Sequence, residues 1–101
     1  MERFRERGLI YLLTVRYSNL FKKDYKIMKK RGMNLKLLQE IVDMLANNKK
    51  LPDKFKDHYL TGEYKRYREC HIQPDWLLIY KIDKGELVLT AFRKDSHSDL
   101  F

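Results

Sequence analysis

The strongest constraint on the fold lies between residues 76 and 93, where the hydrophobic pattern takes a period of two. Trp76, Leu78, Tyr80 and Ile82 alternate with Leu77, Ile79 and Lys81; Asp83-Lys84-Gly85 interrupts, and Leu87 to Arg93 resumes the run. Such alternation around a short glycine-containing loop specifies an antiparallel hairpin. The spacing predicts a three-residue loop with Gly85 in the left-handed bulge position. Tyr67 to Ile72 reads as another strand, with Tyr67 and His71 on one side and Arg68 and Cys70 on the other.

Upstream the period is helical. After a cap at Ser18 or Asn19, Leu20, Phe21, Tyr25 and Met28 recur at helical spacing while lysines fill the opposite side. Gly32 is placed to end this helix in a left-handed conformation. Asn34 starts a second helix with Leu38, Ile41, Val42 and Leu45 on its apolar face, closed by Asn47-Asn48 and Pro52. A helical hairpin of this size cannot bury its apolar face alone, and the strands supply the partner. Leu9 to Val15 reads as an opening strand.

The expected order is therefore β-α-α-β-β-β. This is an α+β fold, a helical hairpin packed on one face of a twisted, mainly antiparallel sheet, with the other face and its rim loops free for ligands. Residues 1–8 are expected to be a flexible extension and residues 9–101 a single domain, its Leu100-Phe101 tail packed back on the body. The stretch 49–65 is the longest irregular segment, a length typical of binding loops.

Composition narrows the function. A chain of 101 residues holds one small domain and excludes a multi-domain enzyme. One cysteine forms no internal disulfide and no cysteine-rich zinc site. No apolar run is long enough to span a bilayer, and the first residues lack the apolar stretch of a signal peptide. A reducing, cytoplasmic setting without membrane contact is expected. The net charge is +8, and all of it comes from residues 1–50, with 13 basic and 5 acidic residues against nine of each in residues 51–101. Lys22, Lys23, Lys26, Lys29, Lys30 and Arg31 make a surface suited to phosphate-rich or acidic partners.

Chemistry-bearing side chains are few. His58, His71 and His97 are spaced by 13 and 26 residues, which matches no compact zinc motif. A metal site completed by Asp57 or Asp75 has no local motif to mark it, so neither metal nor cofactor is expected. Cleavage of RNA by its own 2′-hydroxyl needs one group to remove that proton and another to protonate the departing 5′-oxygen. Histidine does both near neutral pH, with an unperturbed pKa of about 6.5. A guanidinium can clamp the phosphoryl oxygens. His58, His71, His97, Asp75, Arg68 and Arg93 all fall near irregular loops or strand ends. Trp76 suits either the core or a base-stacking platform.

Three segments carry a resemblance. Asp57-His58-Tyr59-Leu60-Thr61-Gly62, the run from Tyr67 to Tyr80, and the run from Arg93 to Phe101, with Phe21-Lys22-Lys23-Asp24 in the helical half, resemble the YafQ-like branch of the RelE/ParE toxin superfamily. The resemblance covers about residues 12–101 and implies a RelE-like fold and an mRNA interferase toxin of a bacterial type II toxin–antitoxin pair. It further implies metal-independent cleavage on the ribosome leaving a 2′,3′-cyclic phosphate, and a cognate antitoxin as partner. By motif position it implies His58, His71, Asp75, Arg93 and His97 as catalytic residues. His97 would transfer protons with His58 or Asp75 as its complement, and Arg93 would hold the phosphoryl group. Arg68, Trp76, Lys94 and Phe101 would bind RNA or support the site. The family's usual Arg-Thr-Gly-Ser/Thr-His is here Arg93-Lys94-Asp95-Ser96-His97, with Asp95 in place of a glycine. Two other functions fit the same outline: a noncatalytic RNA- or ribosome-binding module, and a superfamily toxin acting on a protein such as gyrase.

Overall fold

A computed structural model describes residues 12–93. The expected N-terminal extension, the start of the first strand, and the tail with Lys94, His97 and Phe101 lie outside the described residues.

The elements are β1 (Thr14–Tyr17), α1 (Asn19–Lys30), α2 (Leu35–Ala46), β2 (His58–Tyr59), β3 (Arg68–Gln73), β4 (Trp76–Asp83) and β5 (Glu86–Arg93). Short 3-10 turns at Asp53–Phe55 and Gly62–Tyr64 flank β2. Ser18 caps α1 by accepting from the Phe21 N–H at 2.9 Å, and Asn34 caps α2 by accepting from the Leu37 N–H at 3.0 Å. Gly32 follows α1 at φ +71°, which lets the Met33 N–H reach back to the Met28 carbonyl at 3.1 Å. Asn48, at φ +58°, ends α2 the same way, with the Lys49 N–H bound to the Met44 carbonyl.

The sheet runs β1-β5-β4-β3-β2, with β1 parallel to β5 and every other pair antiparallel. Three details differ from expectation. The first strand is Thr14–Tyr17, with Leu12 and Leu13 in a bend before it rather than within the strand. His58–Tyr59, inside the segment read as irregular, forms a short fifth strand beside β3. The β4–β5 turn holds two residues rather than three: Asp83 pairs with Glu86, while Lys84 and Gly85 stand at φ +49° and +79°. Positive φ at both central positions is the primed turn whose twist matches that of the strands, and Lys84 accepts the left-handed conformation to give it.

Helix α1 packs over β5 and α2 over β3. Phe21, Tyr25 and Met28 from α1 meet Leu38, Ile41, Val42 and Leu45 from α2 above Cys70, Ile72, Trp76, Leu78, Tyr80, Leu87, Leu89 and Phe92. The core residues of β5 change parity, from Leu87 and Leu89 to Phe92. Ile79 pairs with Ala91 but the next residue, Tyr80, pairs with Leu89, so Thr90 is an inserted bulge residue. The Ser18 hydroxyl donates to the Thr90 carbonyl at 2.5 Å, tying the bulge to the start of α1.

The face away from the helices, expected to be free for ligands, also carries apolar residues. Leu77, Ile79 and Ala91 point to it and are fully buried.

Candidate functional site

The Thr90 bulge decides where Arg93 emerges. With Leu87 and Leu89 in the core, an unbroken alternation would send Arg93 inward as well. The extra residue brings it out on the opposite face, in register with Leu77 and, one strand further, His71. Next along that face, Ala91, Ile79, Glu69 and His58 stand side by side on β5, β4, β3 and β2.

Arg93 reaches diagonally across β4 to Glu69, its Nη2 2.9 Å from Oε1 and 2.7 Å from Oε2. The Glu69 side chain is only 3% exposed and that of Arg93 12%. His58, 48% exposed, faces Glu69 from the other side with its Nε2 3.4 Å from Oε1. Its Nδ1 lies 2.7 Å from the Lys56 carbonyl oxygen. A carbonyl only accepts, so Nδ1 carries the proton in that bond, while Nε2 points toward the Glu69 carboxylate. The His71 ring lies 6.4 Å from that of His58. Guanidinium, buried carboxylate and imidazole, drawn from β5, β3 and β2, thus form one row, with a second imidazole beside it.

Asp75 is exposed in the Pro74–Asp75 turn, at the end of the sheet where β5 finishes with Arg93. Where β2 stops, the edge of β3 opens into a pocket of about 400 Å³ lined by Lys54, Lys56, His71 and Gln73 over Phe55 and Ile72. The segment read as a binding loop therefore supplies two cations beside His71.

Two expected site residues stand elsewhere. Trp76 is fully buried in the core, its ring 5.6 Å from that of Phe92, so it packs the fold rather than offering a face to a base. Arg68 projects from β3 to the helix side, away from Glu69, His71 and Arg93, because neighbouring strand residues point to opposite faces. There its guanidinium pairs with Asp57 and lies over the rings of Tyr59 and Tyr80, at 4.9 and 5.7 Å. Its charge is committed to Asp57 rather than to the other face. The α1 lysines are exposed as expected, but across the sheet from Arg93.

Sequence reasoning missed Glu69 and the partnership of Asp57 with Tyr80. The signal for Glu69 was present: it shares strand parity with His71, and a carboxylate inside a strand of a small sheet needs a cation.

Burial pushes the Tyr80 phenol well above its ordinary range, and donation to Asp57 adds to the effect. Burial also raises the Cys70 thiol. Both groups hold their protons in the fold at a pH where the unfolded chain has lost them, so stability is present at neutral pH and declines as pH rises. That decline is expected to begin at about pH 8.5–10, where free thiols and phenols ionise. Urea midpoints measured across pH 7–11 should fall in this window, and less steeply for Tyr80→Phe.

The fold and this row define a small basic α+β domain with an arginine–carboxylate–histidine face. A family model described as "Bacterial toxin of type II toxin-antitoxin system, YafQ" matches residues 13–101. The mRNA interferase toxin YafQ of Escherichia coli K12 is 39% identical over 88 residues, covering 86% of this chain and 94% of that protein. A metal-bound toxin from Helicobacter pylori superposes with a TM-score of 0.79 at 45% identity, covering 88% of this chain and 99% of its own. The toxin of the E. coli DinJ–YafQ complex gives 0.76 at 36% identity, covering 82% and 92%. The chain belongs to the YafQ family of type II toxins, within the RelE/ParE superfamily. Among the described residues no three His, Cys, Asp or Glu side chains stand together as a metal site, and no helix is long and apolar enough to cross a membrane.

Proposed function

We propose that the chain is a toxin endoribonuclease that cleaves mRNA on the translating ribosome in the cytoplasm, using its own side chains and the RNA's 2′-hydroxyl. The observation that carries this reading is the Arg93–Glu69–His58 row with His71 beside it. The 2′-oxygen forms a bond to the adjacent phosphorus while the bond from phosphorus to the 5′-oxygen breaks. One protein group takes the 2′-hydroxyl proton and another gives a proton to the departing oxygen, leaving a 2′,3′-cyclic phosphate and a 5′-hydroxyl. His58 Nε2, His71 and Asp75 are exposed or half-buried groups suited to those transfers. His97 joins them, since four residues tether it to within about 14 Å of Arg93. Arg93, oriented by Glu69, meets the charge that grows on the phosphoryl oxygens. Lys94 adds positive charge next to Arg93, and Phe101 supports the tail that carries His97. Lys54 and Lys56 at the pocket beside His71 attract the neighbouring phosphates.

The partner that silences this activity is a cognate antitoxin, as DinJ is the partner of the E. coli relative in its solved complex. An acidic antitoxin segment suits a chain of net charge +8.

The test is cleavage of a defined mRNA by the purified protein, with and without translating ribosomes, in the presence of excess chelator. Chelator-insensitive cleavage with 2′,3′-cyclic phosphate ends is expected. Products bearing 5′-phosphates would show that water, not the 2′-hydroxyl, is the nucleophile. Absence of cleavage in both settings would point to a binding role.

A further inference from the structure

Strand β2 consists of two residues and pairs only with Glu69 and Arg68 of β3. So short an edge strand has few backbone hydrogen bonds to hold it, yet it carries His58. Additional restraint comes from the helix side. The Asp57 carboxylate, 10% exposed, accepts from the Arg68 guanidinium through Oδ2 and from the Tyr80 hydroxyl through Oδ1. Tyr59, two residues on and on the same face, lies against the Arg68 guanidinium, and Arg68 is in register with both Tyr59 and Tyr80. Asp57 and Tyr59 thus grip β3 and β4 on one face while His58, between them, projects from the other.

The electrostatics support a fixed arrangement. Tyr80 keeps its proton and acts as a donor, and the Arg68 guanidinium, although partly buried, stays charged beside the Asp57 carboxylate. Both oxygens of Asp57 are therefore engaged by donors that stay protonated. Lys56, just before Asp57, sits in the left-handed region at φ +49° and presents the carbonyl that receives the His58 Nδ1 proton. A non-glycine residue holds that conformation only where its neighbours fix it.

We propose that Asp57 is a positioning residue for the reaction, acting through Arg68 and Tyr80 to hold β2 so that the His58 Nε2 is presented on the Glu69–Arg93 row. Its contribution to activity rests on the RNA-cleavage reading above; its contribution to His58 geometry does not.

The test uses the full chain with Asp57→Asn, Asp57→Ala and Tyr80→Phe, the last removing a single hydroxyl should the Asp57 variants fail to fold. Long-range nitrogen–proton NMR spectra report which His58 ring nitrogen carries the proton in the neutral ring. The Nδ1–H form is expected in the wild type and a mixture of both tautomers in the variants, with the His71 signals unchanged. RNA cleavage should lose about 10- to 100-fold in kcat with little change in KM, as expected for a misplaced acid–base group. Asp57→Glu should recover part of that loss. A folded Asp57→Ala protein whose His58 spectrum matches the wild type overturns the proposal. So does a loss confined to KM. The imidazole spectra need no substrate, so they decide the positioning role even for a protein that fails to cut RNA.

Discussion

Replacing Glu69 with glutamine is expected to slow RNA cleavage by about 10²–10³-fold, the range for losing one preorganised transition-state donor. Glutamine keeps the size of the side chain and one acceptor oxygen, so the fold should survive. It removes the negative charge that holds Arg93 Nη2 between two oxygens and faces His58 Nε2. Arg93 would then be held less firmly and would sample rotamers that miss the phosphate more often, and ordering it again on substrate costs free energy that Glu69 now supplies in advance. The effect should approach that of Arg93→Ala, and the double variant should lose little more than either single one, because the two residues act as a unit. Single-turnover cleavage, with circular dichroism as the check on folding, measures this. A Glu69→Gln protein that cuts at the wild-type rate would show that Arg93 does not depend on its carboxylate. Faster cutting would show that Glu69 restrains Arg93.

Trp76→Ala is expected to have the largest effect on stability. The indole is fully buried against Phe92, and Phe92 in turn packs on Phe21 of α1, with ring centroids 4.8 Å apart. Removing a buried aromatic side chain costs about 3–5 kcal/mol, a large share of the 5–15 kcal/mol typical of whole domains. The variant should unfold at markedly lower urea concentration. Trp76→Phe should be far milder, since the indole Nε1 has no hydrogen-bond partner among the described residues and its loss strands nothing. The folded phenylalanine variant should cleave RNA at close to the wild-type rate. A variant that folds as well as the wild type but is inactive would return Trp76 to a role in holding RNA.

The contrast between these residues shows what the sequence reveals. Ser18, Gly32 and Asn34 mark helix ends because capping is a local act, completed within three or four residues. Trp76 through Arg93 announces its hairpin for the same reason. The strand positions of His71 and Arg68 also separated correctly onto opposite faces by parity alone. Burial depth did not follow: an indole that fills a core and one that stacks a base have identical neighbours in the chain. The Arg93–Glu69 pair spans 24 positions and depends on a third strand between its members, so no local pattern contains it. His58 was legible as a chemical group, but the two-residue strand that carries it was not, because pairing partners rather than intrinsic preference create an element that short. The Thr90 bulge was hidden too, since Leu87, Leu89 and Phe92 read as a faltering alternation until the register is known.

That inserted residue has a consequence for how chains of this kind can diverge. Side-chain identity along β5 can drift while the sheet keeps its shape, but a gain or loss of one position between Leu89 and Arg93 turns the guanidinium toward the helices. The fold would still be recognisable and every residue type still present, with the buried Glu69 left without its cation. Sequence comparisons that align the arginine but ignore the count of residues before it would treat two such proteins as equivalent, although only one sets its guanidinium against the buried carboxylate.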